Sequence, residues 1–194
     1  MDQPPADPVV VSARDRILSA VLEVIGTDGI PAVTNRRIAA EAKVSLGSVT
    51  YHFATQPDML RAALLRFVEQ LTTRLTAETA RYAGLVPDLS EAAALVSEVA
   101  ASLAFTSEQV ASFELYLQAG RDTYLRESAA ECFAAYDALT ITVLTALGVP
   151  DAQRLAPAIV GMITGLQLRR LATGEPGQQV GEALALLVAG TARP

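Results

Sequence analysis

The chain has 194 residues, 51% of them hydrophobic and 19% charged, with a net charge of −6. That is enough apolar surface for a core in one domain or two small ones, so it excludes disorder throughout; it also excludes a surface coated in basic charge, though not a local basic patch. A single cysteine (Cys132) and a single histidine (His52) exclude an intrachain disulfide and any multi-histidine or Cys2His2 metal site, and no metal or cofactor is expected.

Residues 1–11 begin with acids and prolines where a secretory signal needs a basic start and a long apolar run, so they read as a disordered leader. Helical signals then recur to the end of the chain, while strand signals are confined to short β-branched runs. Ser12 and Asp15 form a capping box before an apolar stripe of Ile17, Leu18, Val21, Leu22 and Ile25, and Gly29 stops this first helix. Thr34 caps a second helix with Ile38, Ala39 and Ala42 facing inward, and Ser45 caps a short third from Leu46 to His52. Thr55, with Asp58 three residues on, starts a fourth whose stripe is Leu60, Leu64, Phe67, Leu71 and Leu75, ending at Gly84. Further helices are expected at 88–105, 106–119, 121–146 with a break in its first turns, 152–172 and 178–189. Pro157 should kink the helix at 152–172 or mark its true start.

The expected fold class is therefore all-α, with about nine helices: residues 12–53 as a three-helix module and 54–194 as a larger bundle. The most apolar stretch, 157–168, is 12 residues long, short of the roughly 20 that cross a bilayer. A cytoplasmic protein without a membrane partner is expected.

The positive charge is local. Between Ile30 and Phe53 lie Arg36, Arg37 and Lys43 against Glu41 alone, whereas acids outnumber bases after Phe53. In the same segment two helices flank the turn Lys43-Val44-Ser45, the layout of a helix-turn-helix. Val49 and Phe53, four apart, face inward; Gly47, Ser48, Thr50, Tyr51 and His52 are left outside, small and polar enough for close approach to base edges. His52 then reads as a corner-stabilising residue and phosphate contact rather than a catalyst. Cys132, near Ala129, Phe133 and Tyr136, reads as a small core residue rather than a redox switch. On these residues alone an all-helical small-molecule carrier or enzyme stays open as the alternative, although no nucleophile–base pair supports an enzyme.

Residues 34–60, TNRRIAAEAKVSLGSVTYHFATQPDML, resemble the DNA-binding segment of TetR-family transcriptional regulators, through Thr34, Arg36, Ile38, Ala39, Val44, Ser45, Gly47, Tyr51, His52, Phe53 and Leu60. The specific resemblance covers about residues 12–66; beyond it the likeness is one of plan. It implies a homodimeric, ligand-responsive repressor of a palindromic operator on double-stranded DNA. Arg36 becomes the candidate contact to guanine, with Leu46, Gly47, Ser48 and Thr50 nearest the bases. Thr34, Asn35, Lys43, Ser45, Tyr51 and His52 complete the DNA-facing set, mostly against the backbone. Two positions depart from the family pattern: Lys43 stands where a glycine is usual in the turn, and Gln56 where a lysine is frequent, which weakens one phosphate contact.

The resemblance also implies an effector cavity for a small, largely apolar ligand, lined by Phe67, Leu71, Phe105, Phe113, Tyr116, Tyr124, Phe133 and Tyr136. It implies a dimer interface on the last two helices, at Ile159, Gly161, Ile163, Gly165, Leu184, Leu187 and Val188. The fourth helix would couple cavity to DNA module.

Overall fold

Ser12 opens the first helix as its N-cap, through two bonds made by its hydroxyl. Its Oγ accepts from the Asp15 N–H at 3.0 Å and donates to the Asp15 carboxylate at 2.6 Å. This is a computed structural model, which describes residues 11–80, 106–146 and 148–174. Helix α1 runs over Ala13–Asp28 and ends at Gly29, whose φ of 82° suits a residue without a side chain. A 3-10 turn at Ile30–Ala32, not foreseen in the sequence, leads to Thr34. There the Thr34 hydroxyl accepts from the Arg37 N–H at 3.2 Å and starts α2, Asn35–Glu41. Ser45 does the same for the Ser48 N–H at 3.1 Å and starts α3, Leu46–His52. At α4, Gln56–Ala80, the Thr55 hydroxyl likewise accepts from the Asp58 N–H at 3.2 Å and donates to the Asp58 carboxylate at 2.7 Å.

In the bundle, Thr106 caps α5, Ser107–Ala119. The expected break falls at Gly120–Asp122, where Arg126 donates to the Ala119 and Gly120 carbonyls at 3.3 and 3.0 Å. These are end-of-helix carbonyls without intrahelical donors, so a cation there both bonds them and opposes the helix dipole. Helix α6 follows over Thr123–Ala146 and α7 over Ala152–Thr173, with Pro157 inside α7 rather than at its start. No strand occurs among the described residues, and the fold is all-α. The expected end at Gly84, the helices at 88–105 and 178–189, and Phe105, Leu184, Leu187 and Val188 lie outside the described residues.

By length and composition α6 could cross a membrane, which the apolar stretch at 157–168 could not. Its Leu125, Ser128, Ala129, Cys132 and Leu144 are buried within the protein.

One core joins the module to the bundle. Buried Ile17, Leu18, Val21, Leu22 and Ile25 of α1 share it with Ile38, Val49 and Phe53 of the module, with Met59, Leu64 and Phe67 of α4, and with Leu115, Leu125 and Cys132 of α5 and α6. A smaller cluster of Leu144, Ala152, Leu155 and Ile159 joins α6 to α7. Helices α1 and α5 approach closely: a Cβ on Gly26 would overlap the backbone of Ser107. Around it the Ser107 hydroxyl donates to Glu23, and the Ile30 N–H donates to the Glu114 carboxylate at 3.3 Å.

The obstacle at Gly26 is backbone, which cannot turn aside as a side chain can. Gly26→Ala is expected to destabilise the fold by about 1–3 kcal/mol, the range for overpacking, read as a lower thermal midpoint. An unchanged midpoint would contradict this packing.

Candidate nucleic-acid interface

The turn between α2 and α3 is closed by the Lys43 N–H on the Ala40 carbonyl (3.3 Å) and the Val44 N–H on the Ala39 carbonyl (3.0 Å). Lys43 takes the left-handed backbone, φ 53°, where a glycine would sit without strain. Its side chain is thereby left exposed. Ile38, Ala39, Ala42, Val49 and Phe53 are buried as their spacing requires, and Val44 packs half-buried against them.

The outward surface is made by what remains. Leu46 and Tyr51 are 49% and 84% exposed, large fractions for apolar and aromatic side chains. Gly47 and Thr50 are exposed beside them, and Ser48 is half-buried. The Thr50 hydroxyl donates back to the Gly47 carbonyl at 3.1 Å, leaving its oxygen as an acceptor. A Cβ on Gly47 would meet only the Ser45 hydroxyl, at 3.8 Å; the fold itself does not demand glycine there. His52 is half-buried, with Tyr51 edge-on at 5.1 Å and Phe53 at 6.4 Å, and its ring nitrogens have no hydrogen-bond partner among the described residues.

The two adjacent arginines differ. Arg37 is held by Asp28 at 3.0 Å and Glu41 at 3.7 Å, so its charge is spent within the protein. Arg36, one residue earlier and exposed near the start of α2, has no ion pair or hydrogen bond among the described residues. Asn35 and Thr34 are exposed beside it. Two further residues belong to this surface, Arg14 without a sequence signal and Gln56 in a role the sequence does not show. Arg14 of α1 lies over the Phe53 ring, 5.6 Å from its centroid, adding a positive charge at the end of α3. Gln56 donates from Nε2 to the Val33 carbonyl at 2.7 Å, tying α4 to the residue before Thr34.

Of the residues expected around an effector, Phe67 and Leu71 of α4 are buried in the main core, against which Tyr116 and Tyr136 pack. The Phe133 ring lies 5.0 Å from that of Tyr116 and 6.2 Å from that of Tyr136. The two tyrosine hydroxyls meet at 3.3 Å. Burial pushes the Tyr116 phenol well above its ordinary range and that of Tyr136 up to about 12, so both keep their protons at neutral pH and remain able to donate. Phe113 is buried on α5. Tyr124 is placed elsewhere: it is 42% exposed, donates to the Asp58 carboxylate at 3.0 Å, and carries Arg61 over its ring at 5.4 Å. Hydrogen bonds from the Thr55 and Tyr124 hydroxyls hold the Asp58 carboxyl below its usual range. Arg61 reaches on to Ser128 (2.8 Å) and Glu131 (3.4 Å), so the start of α4 is clamped to α6. Cys132 is buried in the core; desolvation, with Glu131 adding to it, pushes its thiol up to about 12.

On α7, Ile159 points into the cluster with Leu144 and Leu155, and Ile163 packs half-buried against it. Among the described residues nothing lies within 4 Å of where a Cβ on Gly161 or Gly165 would stand, and Leu168 is 45% exposed on the same side of the helix.

The family model described as bacterial regulatory proteins, tetR family, matches residues 17–63, and that described as tetracyclin repressor-like, C-terminal domain, matches residues 87–190. The HTH-type nicotine-responsive transcriptional repressor HdnoR of Paenarthrobacter nicotinovorans is 34% identical over 61 residues, a match spanning 31% of this chain and 31% of that protein. Among solved structures, the multidrug binding protein EbrR complexed with imidazole is 34% identical, over 93% of this chain and 96% of that one, with a TM-score of 0.70. EbrR complexed with ethidium is 32% identical over 91% and 98%, with a TM-score of 0.69.

Arg36→Ala is expected to lower affinity for a duplex selected on the wild-type protein by about ten- to a hundredfold, the scale of one bidentate base contact. Arg37→Ala should cost much less, because that guanidinium is already engaged. Anisotropy titrations compare the two; equal losses would contradict the assignment of Arg36.

Proposed function

Because this chain belongs to the TetR family of bacterial regulatory proteins, we propose that it represses transcription as a homodimer, holding a palindromic operator until a small, largely apolar effector releases it. The observation that carries the reading is the exposed Arg36 beside α3, without a partner among the described residues, next to an arginine paired with Asp28 and Glu41. One free fork-shaped donor beside small polar side chains suits a guanine edge in the major groove. Lys43, Arg14 and the Thr34, Ser45 and His52 side chains then meet phosphates, which orient the protein without reading sequence. The relatives are regulators rather than enzymes.

Dimerisation supplies the second α3. The side of α7 with Gly161, Gly165 and Leu168 suits close packing against a second copy, since small residues let two helices approach. The two recognition helices would then be separated by ~34–36 Å, one turn of the duplex.

The effector binds among α4, α5 and α6, where Tyr116, Phe133 and Tyr136 offer aromatic faces and two protonated hydroxyls. EbrR in complex with imidazole and ethidium, and a nicotine-responsive repressor, support a ligand with a nitrogen-containing aromatic ring. Release follows from differential affinity: a ligand that prefers the conformer whose α3 spacing misses the operator weakens DNA binding by the ratio of its two affinities. Such a protein acts in the cytoplasm, where its operator is.

A thermal-shift screen of small aromatic and apolar compounds provides the test. A compound that stabilises the protein should weaken operator binding, and operator should weaken its binding by the same factor. Tight binders that leave operator affinity untouched would overturn the ligand-responsive reading. Phe133→Ala should weaken the compound roughly tenfold, on the scale of a lost aromatic contact.

A further inference from the structure

The sequence at Gln56 reads as the loss of a phosphate-binding lysine; the structure gives the glutamine its own task. Gln56 is the first residue of α4, directly after the cap Thr55. Its Nε2 donates to the Val33 carbonyl at 2.7 Å across 23 residues of chain. Val33 is itself buried, and its own N–H is bonded to the Ile30 carbonyl. Its carbonyl belongs to the peptide that leads into Thr34, whose hydroxyl caps α2 at Arg37. Arg36 lies one residue before that capped N–H and has no anchor of its own among the described residues.

The Gln56 amide therefore fixes the start of α2 to the start of α4. A lysine could reach the carbonyl or a phosphate, but as a flexible point charge it does not hold one orientation. A planar amide with a short bond to a part-buried acceptor does. We propose that Gln56 is a positioning residue for DNA reading, setting the place of Arg36 relative to α3 without touching a base itself. The inference rests on Arg36 reading a base pair. Gln56 also joins Arg36 to the segment of α4 that Asp58 and Arg61 clamp to α6, so a shift of α4 is passed to the reading arginine.

The test uses Gln56→Met, which keeps length and neutrality but cannot donate. Full-length protein is titrated with a duplex selected on the wild type from a random library, and with single-base-pair variants of that duplex. Arg36→Ala first identifies the base pair that Arg36 reads, as the position where discrimination is lost. Gln56→Met should then lower affinity for the selected duplex about two- to tenfold, the scale of one hydrogen bond. It should also reduce discrimination at that same base pair while leaving the others unchanged, and the two substitutions should be non-additive when combined. A loss equal at every position, or additive with Arg36→Ala, would mean that Gln56 only stabilises the fold and would overturn the proposal. If Arg36→Ala alters discrimination nowhere, it is the reading of Arg36 that fails.

Discussion

Gly26 leaves no space for a side chain, and that one close contact ties the DNA-binding module to the bundle. It lets the last turn of α1 lie against the backbone of Ser107 at the start of α5. The same helix packs on α2, α3 and α4. Bonds from Ser107 to Glu23 and from Ile30 to Glu114 reinforce the junction, and Arg66 of α4 pairs with Asp15 of α1 at 3.4 Å. The helix-turn-helix is thus welded to the bundle on two sides, by α1 on α5 and by α4 on α6. Close-packed interiors do not deform continuously, so rearrangement among α4, α5 and α6 must carry the module with it. Under the proposed function, a ligand among these helices would act on DNA affinity through this packing rather than through a flexible linker.

Against that frame of packed apolar helices the charges sort by partner. The chain is acidic as a whole, yet Asp28 and Glu41 are taken up by Arg37, Asp15 by Arg66, and Glu131 by Arg61. Arg14, Arg36 and Lys43 have no acidic partner among the described residues and stand at the α2–α3 end. Exposed ion pairs add little to stability. Arg16, Arg74 and Arg121 are likewise exposed without an acidic partner among the described residues, so what marks the α2–α3 end is that Arg14, Arg36 and Lys43 come together there, where phosphate is attracted.

The N-caps were the most legible part of the sequence. Ser12, Thr34, Ser45, Thr55 and Thr106 each announce a helix through a bond made within three residues, and such local chemistry does not depend on the tertiary fold. Periodicity likewise identifies Val49 and Phe53 as interior and leaves Arg36 outside. It does not say which neighbour covers a face. Tyr124 shares a helix with Phe133 and Tyr136, but at the first turn of α6 it meets Asp58 and Arg61 of α4 instead. Ile159 and Gly161 are two residues apart; Ile159 packs in its cluster, while nothing among the described residues lies within 4 Å of a Cβ at Gly161. Gln56 could not be read at all as a tie to Val33, since that bond depends on where a distant turn comes to rest.

In the proposed function the surface of α2 and α3 reads DNA as one half of a symmetric pair. Selection of bound duplexes from a random pool with the full-length protein tests it most directly. The account predicts an enriched inverted repeat, its half-site centres ~34–36 Å apart along the duplex, bound with an affinity that falls steeply as salt rises. A selected pool indistinguishable from the starting pool would contradict it.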